Sequence, residues 1–547
     1  MWDGWCSYGV AVSFDRKLLG YSAGLFLLVL LIYTPTLRGG FVYDSIAQVL
    51  YSDYIHTTAN WVDVLTLRVV GQDELDRNRP MHLASLMLDA AIWGKNPLGY
   101  RLTSALLHAL NAALLFVFLT IALRPRTAGG GAEAWRDGPK ANAAATLPVA
   151  SPSSATAVLY SPVFGALFFA LHPLVVEAVA EPSNREDLLV LLPMLMGLVC
   201  IAVPLRSRSA LNVVLILCSF FAVLAKESGI AVPFVFAVAA WLSDSFRRLL
   251  PGLVGSLVAA AGFLVASYLW RPAGSGIFVH APAGLAPDLW SLLSVQSRIW
   301  TLQFWQILWP WHLSAHYTAE AIAGITLPMA MTALAGVALA AVFAWRADRL
   351  SAFGVAVYVL CLLPASNFAA QYHPIADRYL YVPLAGVGLI AAALVHRLRI
   401  KYPRGFAGGA LIAVLFLLLS LEYAANLRRQ FVWQQPATLW SDVLRQYPNI
   451  SQAQIGMANV HYRAGDFQAA RAAATEAVVS SGGGWADAWA LRAICEWQAG
   501  QLEQALESFA RAKGLSRVYA NMDAMERALI LSPKQLQAVQ EMNAVSH

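Results

Sequence analysis

The residue whose chemistry most needs explaining is Asp44, in the stretch Arg38-Gly-Gly-Phe-Val-Tyr-Asp44-Ser-Ile just past the first long apolar run. A carboxylate at a membrane boundary is costly unless it is solvated, paired or used. Partial burial raises its pKa, which suits a proton acceptor working near neutrality. Other ionisable groups recur at the ends of apolar runs: Arg79, His172, Glu177, Glu181, Arg185, Glu186, Asp187, Lys226, Glu227, His373, Asp377 and Arg378. That is a dense polar set for loops so short.

Each of these has a structural use as well as a chemical one. Glu177, Glu181 and Arg185 share helical spacing, but Pro182 interrupts the helix that would align them. Glu181 and Arg185 are expected to form a structural ion pair. Lys226 and Glu227 suit snorkelling and capping at adjoining helix ends as well as a site. Asp377-Arg378, beside Tyr379 and Tyr381, suits an interfacial anchor. His172 and His373 have no partner at metal-ligand spacing and are expected to be hydrogen-bonded structural histidines. The five cysteines (Cys6, Cys200, Cys218, Cys361, Cys495) show neither pairing nor metal-site spacing.

The elements that must position these groups are membrane helices. Of 547 residues, 58% are apolar and 13% charged, and the mean hydropathy is +0.56. This excludes an ordinary soluble domain, and a net charge of +6 is weak support for nucleic-acid binding. The first run, about Leu18 to Thr36, follows Arg16-Lys17 and reads as a retained helix, since no small-residue cleavage site follows it. Further spans are expected at Leu98–Leu123, Ala155–Leu171, Asp187–Leu205, Ala210–Ala225, Gly229–Leu242, Leu249–Trp270, Leu327–Trp345, Ala352–Pro364, Tyr379–Val395 and Phe406–Leu421, about eleven in all.

Cation clusters occupy alternate connections: Arg16/Lys17, Arg124/Arg126/Arg136/Lys140, Arg206/Arg208, Arg247/Arg248, Arg346/Arg349 and Arg397/Arg399/Lys401/Arg404. The positive-inside rule makes these cytoplasmic and puts Asp44 and the C-terminal tail on the opposite side. Ala128–Ser154 reads as a flexible cytoplasmic linker. Ser291–Trp311 carries four tryptophans, and a crossing there would invert every later loop. It is expected to be an amphipathic or re-entrant helix on the outer face. The long loop Leu37–Pro97 is expected to hold one or two interfacial helices.

After about Arg428 the composition turns polar and alanine-rich. Gly465-Asp-Phe467 recurs as Gly500-Gln-Leu502, with Ala470/Ala477 recurring as Ala505/Ala512. This spacing of small and large residues fits tetratricopeptide repeats. Trp433–Pro448 reads as a preceding half-repeat and Val518–Val545 as a capping pair. The expected organisation is an all-α polytopic membrane domain over residues 1–428 and an α-solenoid over 429–547.

Several motifs run in one order: Phe41-Val-Tyr-Asp44, Asn78-Arg-Pro80 with Asn96-Pro-Leu-Gly-Tyr100, His108-Ala-Leu-Asn111, His172-Pro-Leu-Val-Val-Glu177-Ala-Val-Ala, Arg185-Glu-Asp-Leu188, Ala225-Lys-Glu227, and Pro364-Ala-Ser-Asn367 leading to Asp377-Arg-Tyr-Leu-Tyr-Val-Pro383. In this order the chain resembles the C-type (GT-C) membrane glycosyltransferases, more narrowly the transmembrane and tetratricopeptide-repeat-containing protein O-mannosyltransferases. The resemblance implies inverting transfer of a mannose-like sugar from a polyprenyl-phosphate carrier to a Ser/Thr hydroxyl of a protein on the non-cytoplasmic face. It makes Asp44 the general base and gives substrate-binding roles to Arg79, His172, Glu177, Arg185, Asp187, Lys226, Glu227, Asp377 and Arg378. Family members often carry a second acid where this chain has Ser45, which weakens a metal-dependent version and leaves a partner role open for Glu177 or Asp187. No cofactor is expected, though a divalent metal stays open.

The chemistry of such a transfer needs one carboxylate at the acceptor hydroxyl and cations at the leaving phosphate. Arg185 and Arg378 suit a two-pronged phosphate contact, and Lys226 a point charge. The absence of a glycine-rich phosphate loop argues against a nucleotide-sugar donor. The expected partners are the polyprenyl-phosphate sugar, a protein acceptor held by the repeats, and the bilayer. A lipid-linked oligosaccharide ligase or polymerase, and a non-catalytic scaffold presenting the repeats, are the alternatives.

Overall fold

In the computed structural model the described residues are 16–124, 155–203, 207–272, 288–368, 371, 373–402, 405–520 and 532–545. Among them every regular element is helical. The main helices are α1 (Arg16–Ile32), α2 (Pro80–Trp93), α3 (Pro97–Ala122), α4 (Ala155–Leu171), α5 (Val176–Ala180), α6 (Glu186–Ala202), α7 (Arg208–Ala225), α8 (Ala231–Leu242), α9 (Phe246–Leu269), α10 (Leu289–Leu308), α11 (Leu327–Ala347), α12 (Arg349–Leu362), α13 (Tyr381–Lys401) and α14 (Gly405–Val432). After these come α15 (Pro436–Gln446), α16 (Ser451–Arg463), α17 (Phe467–Ser480), α18 (Ala486–Gln498), α19 (Leu502–Leu515) and α20 (Pro533–Val545). Prolines open α2, α3 and α15, where the missing N–H costs nothing. The expected linker 128–154 lies outside the described residues.

Among the described residues six helices are long and apolar enough to cross a membrane, or seven if the bent pair Leu159–Leu171 and Pro173–Ala180 is one span. The chain is therefore a multi-pass membrane protein; the expected count of about eleven is not confirmed among the described residues. The shortfall is length: α1 and α6 have 17 residues each, and the apolar helices Glu227–Leu242 and Arg349–Ala365 are shorter than the full crossings. At 1.5 Å per residue, 17 residues reach about 25 Å, less than a hydrocarbon core of about 30 Å. Helix α10 is not one of the six. It buries Gln296, Gln303 and Gln306 and exposes Trp290 and Trp305, with Trp309 exposed just beyond its end. Such a surface suits the interface.

Without a hydrophobic force between helices in lipid, close backbone approach does the packing. Helix α13 is gripped from two sides this way. A Cβ on Gly165 of α4 would lie 2.6 Å from the Gly388 carbonyl, and one on Gly354 of α12 would lie 2.6 Å from the Gly386 carbonyl. At one end of the bundle Arg349 donates to Leu242 O and Asp244 Oδ2, both at 2.8 Å, and Arg397 pairs with Asp348 at 3.0 Å. Arg399 lies over the Tyr160 ring at this end. Asp44, Arg79, Glu186, Lys226 and Arg378 line a cavity elsewhere in the bundle.

The 428/429 division drawn from composition falls inside α14. Trp433, Leu439, Trp440, Val443 and Ile450 belong to the same buried core as the bundle, so the first tail helix packs onto it. From there each helix packs on the next, α15 through α19, around a second core that includes Ala470, Ala493, Ala505 and Phe509. The turns into α17 and α19 are made by Gly465 (φ +79) and Gly500 (φ +77), a left-handed conformation that favours glycine.

Candidate active site

The Asp44 segment is strapped down by a buried arginine. Arg101, 0% exposed, donates to the carbonyls of Thr36 (3.2 Å), Gly40 (2.6 and 3.2 Å) and Trp433 (2.9 Å). Gly39 allows this approach, since a Cβ there would sit 2.6 Å from the guanidinium carbon. Gly40 N donates to Gln434 O at 2.9 Å, which ties the loop to the start of the tail. The chain then turns sharply. Tyr43 has φ 47, uncommon for an aromatic residue, and Ser45 Oγ closes the turn by donating to Val42 O at 2.7 Å. The turn is clamped from below by Glu181. Its Oε1 accepts from Ser45 N at 2.7 Å and from Ser183 Oγ at 2.6 Å.

Asp44 is thereby aimed into a cavity of about 820 Å³. Among the described residues its carboxylate makes no hydrogen bond or ion pair. Burial pushes its pKa up to about 6, opposed by Arg378 and reinforced by Asp76, Glu177 and Glu186. Three cations line the same cavity, each held by carboxylates. Arg79 meets Asp76 (2.9 Å), Glu227 (3.2 Å) and Glu186 (3.4 Å). Lys226 Nζ sits 2.6 Å from Asp187 and 3.5 Å from Glu186. Burial works against the Lys226 charge, but these two acids outweigh it and hold its pKa above the usual value. Arg378 is paired with Glu177, which also accepts from the Arg378 backbone N at 3.2 Å. The remaining wall is largely apolar, with Val190, Ile230, Leu264 and Val382.

Next to Asp44 in the chain, the Tyr43 hydroxyl lies 3.4 Å from both His316 Nδ1 and His373 Nε2. Burial first, then Arg378, lowers these imidazoles to about 4 and about 3, so both are neutral at pH 7. Tyr43 also packs on Trp433 and Trp440, which brings the tail within one ring of Asp44.

Six of the ten residues given site roles by the resemblance therefore share one cavity, Asp44, Arg79, Asp187, Lys226, Glu227 and Arg378, and Glu186 and His373 line it too. Four do not line it. Glu177 is buried behind Arg378. His172 is buried, with Nε2 donating to Ile307 O at 3.0 Å. Asp377 accepts from Tyr317 Oη at 2.5 Å and from Arg429 at 3.3 Å. Arg185 sits 2.6 Å from Asp89 and donates to Tyr100 O at 2.6 Å. The expected Glu181–Arg185 pair is thus replaced by Arg185–Asp89. The helix stops at Ala180 and Glu181 is extended (φ −105, ψ 107), so the helical spacing is lost. Glu181 as the clamp of Ser45 had no signal in the sequence, because its partner is 136 residues away. Among the described residues no group of three His, Cys, Asp or Glu is arranged to hold a metal ion.

No family model matches the chain. It is similar to the protein O-mannosyl-transferase F38B6.6 of Caenorhabditis elegans, 26% identical over 309 residues, which are 55% of this chain and 42% of that protein. The chain thus spans less than half the length of this curated relative. Two crystal structures of ArnT from Cupriavidus metallidurans also align, each at 14% identity. The form bound to undecaprenyl phosphate gives a TM-score of 0.36 over 97% of this chain and 76% of that one. The apo form gives 0.38 over 80% and 81%.

Proposed function

We propose that this chain is a membrane glycosyltransferase of the GT-C type. It moves a mannose-like sugar, with inversion, from a polyprenyl-phosphate carrier to a Ser or Thr hydroxyl of a protein on the non-cytoplasmic face. The observation that carries this reading is the Asp44 carboxylate, unpartnered among the described residues, in a cavity that joins three cations to an apolar wall. The likeness to a protein O-mannosyl-transferase supports it.

The arrangement suits each bond change. Asp44 takes the proton of the acceptor hydroxyl as that oxygen bonds to the anomeric carbon. The bond from that carbon to the carrier phosphate breaks on the opposite face, and its electron pair leaves with the phosphate. Arg378, Arg79 and Lys226 stabilise that charge, and the apolar wall takes the first isoprene units. Because each cation is already held by acids, it is oriented before the donor arrives. Comparing glycoproteins of a deletion strain complemented with the wild-type chain or with Asp44→Asn tests the assignment. Glycopeptides lost on deletion should return only with the wild type; their return with both would reject it.

Glu181 positions the base in this reading. Glu181→Ala leaves Ser45 N without its acceptor and frees the Tyr43–Ser45 turn. Turnover is expected to fall by about tenfold or more, with donor KM little changed. Glu181→Gln keeps an oxygen acceptor and should recover most of the loss. Burial raises the Glu181 pKa to about 8, against Ser183, Arg101 and Ser45, so at pH 7 the side chain is largely uncharged, as glutamine is. Equal losses in the two variants would show that charge, not the hydrogen bond, matters.

The helices after Ser451 we read as tetratricopeptide repeats that hold the acceptor chain near Asp44, raising its local concentration. Trp433, Leu439 and Trp440 belong to the bundle core, so a cut must spare α15 and α16. Truncation after Arg463 is expected to lower modification of the natural protein acceptor at least tenfold. Slow transfer to a small alcohol or to water should persist. Undiminished modification of the protein acceptor would reject the grip.

A further inference from the structure

A second cavity, of about 600 Å³, opens where the end of α14, the stretch after α10 and α15 meet, and it shares no lining residue with the Asp44 cavity. Helix α14 presents Ala425, Arg428, Arg429 and Val432 to it, one face at helical spacing. Arg429 is 5% exposed and anchored on Asp377 (3.3 Å) and Asp442 (3.2 Å), and its Nε has no partner among the described residues. Arg445 joins from α15 and holds the other Asp442 oxygen, while its side chain stays 63% exposed. Arg428 is exposed, with no hydrogen bond or ion pair among the described residues. Three guanidinium groups thus line a space whose one lining acid among the described residues, Asp442, is already taken up by Arg429 and Arg445.

We propose that this cavity binds the phosphate headgroup of an anionic phospholipid. The guanidinium fork matches phosphate oxygens, and Arg429 offers a buried, pre-aimed donor. A free phosphate has the same chemistry; the surroundings favour the lipid. The apolar wall of Leu302, Ala425 and Val432 lies at the end of α14, whose preceding turns expose Phe416, Leu417, Leu418 and Leu421. Such a face belongs against acyl chains. Trp305 and Trp309, exposed near the lining residues Leu302 and Pro310 in the chain, suit the membrane interface, where tryptophans concentrate. A headgroup here would also touch the wall between the two cavities, since Arg429 holds Asp377 and the next residue, Arg378, lines the Asp44 cavity. The inference needs only that the chain spans a membrane, and stands or falls independently of the transferase reading.

The test is native mass spectrometry of the purified full chain in detergent, titrated with dioleoyl-phosphatidylglycerol or dioleoyl-phosphatidylcholine. The wild type should retain one phosphatidylglycerol at concentrations where phosphatidylcholine is lost. Arg428→Ala/Arg445→Ala should weaken that retention about thirtyfold, and Arg428→Ala alone, at an exposed position that no fold contact uses, about fivefold. Equal retention of the two lipids, or undiminished phosphatidylglycerol on both variants, overturns the proposal. Displacement of the lipid by about 10 mM inorganic phosphate would assign the site to a free anion and overturn it too. So would tighter binding of a polyglutamate peptide.

Discussion

Asp44→Asn is expected to lower sugar transfer by about a thousandfold, the scale of a lost general base. Donor affinity should stay within a few-fold, because the cations proposed to meet the phosphate are held by Asp76, Glu177, Glu186, Asp187 and Glu227, not by Asp44. The pH dependence has a definite sign. Burial raises the Asp44 pKa to about 6, and the base works only when ionised. Transfer should therefore be full above about pH 7 and fall about tenfold per pH unit below 6. The same raised pKa means that burial disfavours the ionised form, so a neutral asparagine should hold or raise the melting temperature. An Asp44→Asn protein that melts early would instead mark Asp44 as a structural acid.

The second large effect is at Arg378. Arg378→Ala removes a cation from the cavity and leaves Glu177, 1% exposed, without its cationic partner. Breaking a buried pair from one side costs about 3–5 kcal/mol, so this variant should be markedly less stable and inactive. Adding Glu177→Leu removes the stranded charge and should restore much of the melting temperature but not transfer. Arg378→Lys keeps the charge but loses the fork, and transfer should drop about tenfold or more through a higher donor KM. If the double variant regains transfer along with stability, Arg378 does not meet the phosphate. Arg185→Lys, by contrast, tests packing against Asp89 and Tyr100 O rather than a phosphate contact.

How far the sequence could be read follows from how local each signal is. The long apolar runs and the glycine turns at Gly465 and Gly500 are written in neighbouring residues, and the helices found there follow them. Ordered loop-end charges led to Asp44, Arg79, Lys226 and Arg378, which share one cavity. Span length is less legible, because apolar composition continues as Val203-Pro204-Leu205 past the helix end at Ala202. Partners across the fold were not legible at all. Arg101 reads as an ordinary cation at the start of a span, yet it straps the loop before Asp44 to Trp433, 332 residues on. Glu181 looked paired with Arg185 because they are four apart, and Pro182 alone hinted otherwise. Trp433 and Trp440 looked like part of the tail by composition, but their rings pack on Tyr43.

The most direct measurement is transfer by the purified full chain reconstituted in liposomes, with polyprenyl-phosphate mannose and a Ser/Thr-containing acceptor protein. Mannose should become linked to the acceptor hydroxyl with the anomeric configuration opposite to that in the donor. Polyprenyl phosphate should be released in equal amount, and Asp44→Asn should give neither product. Retained configuration, or equal transfer by wild type and Asp44→Asn, would contradict Asp44 as the base of an inverting transfer.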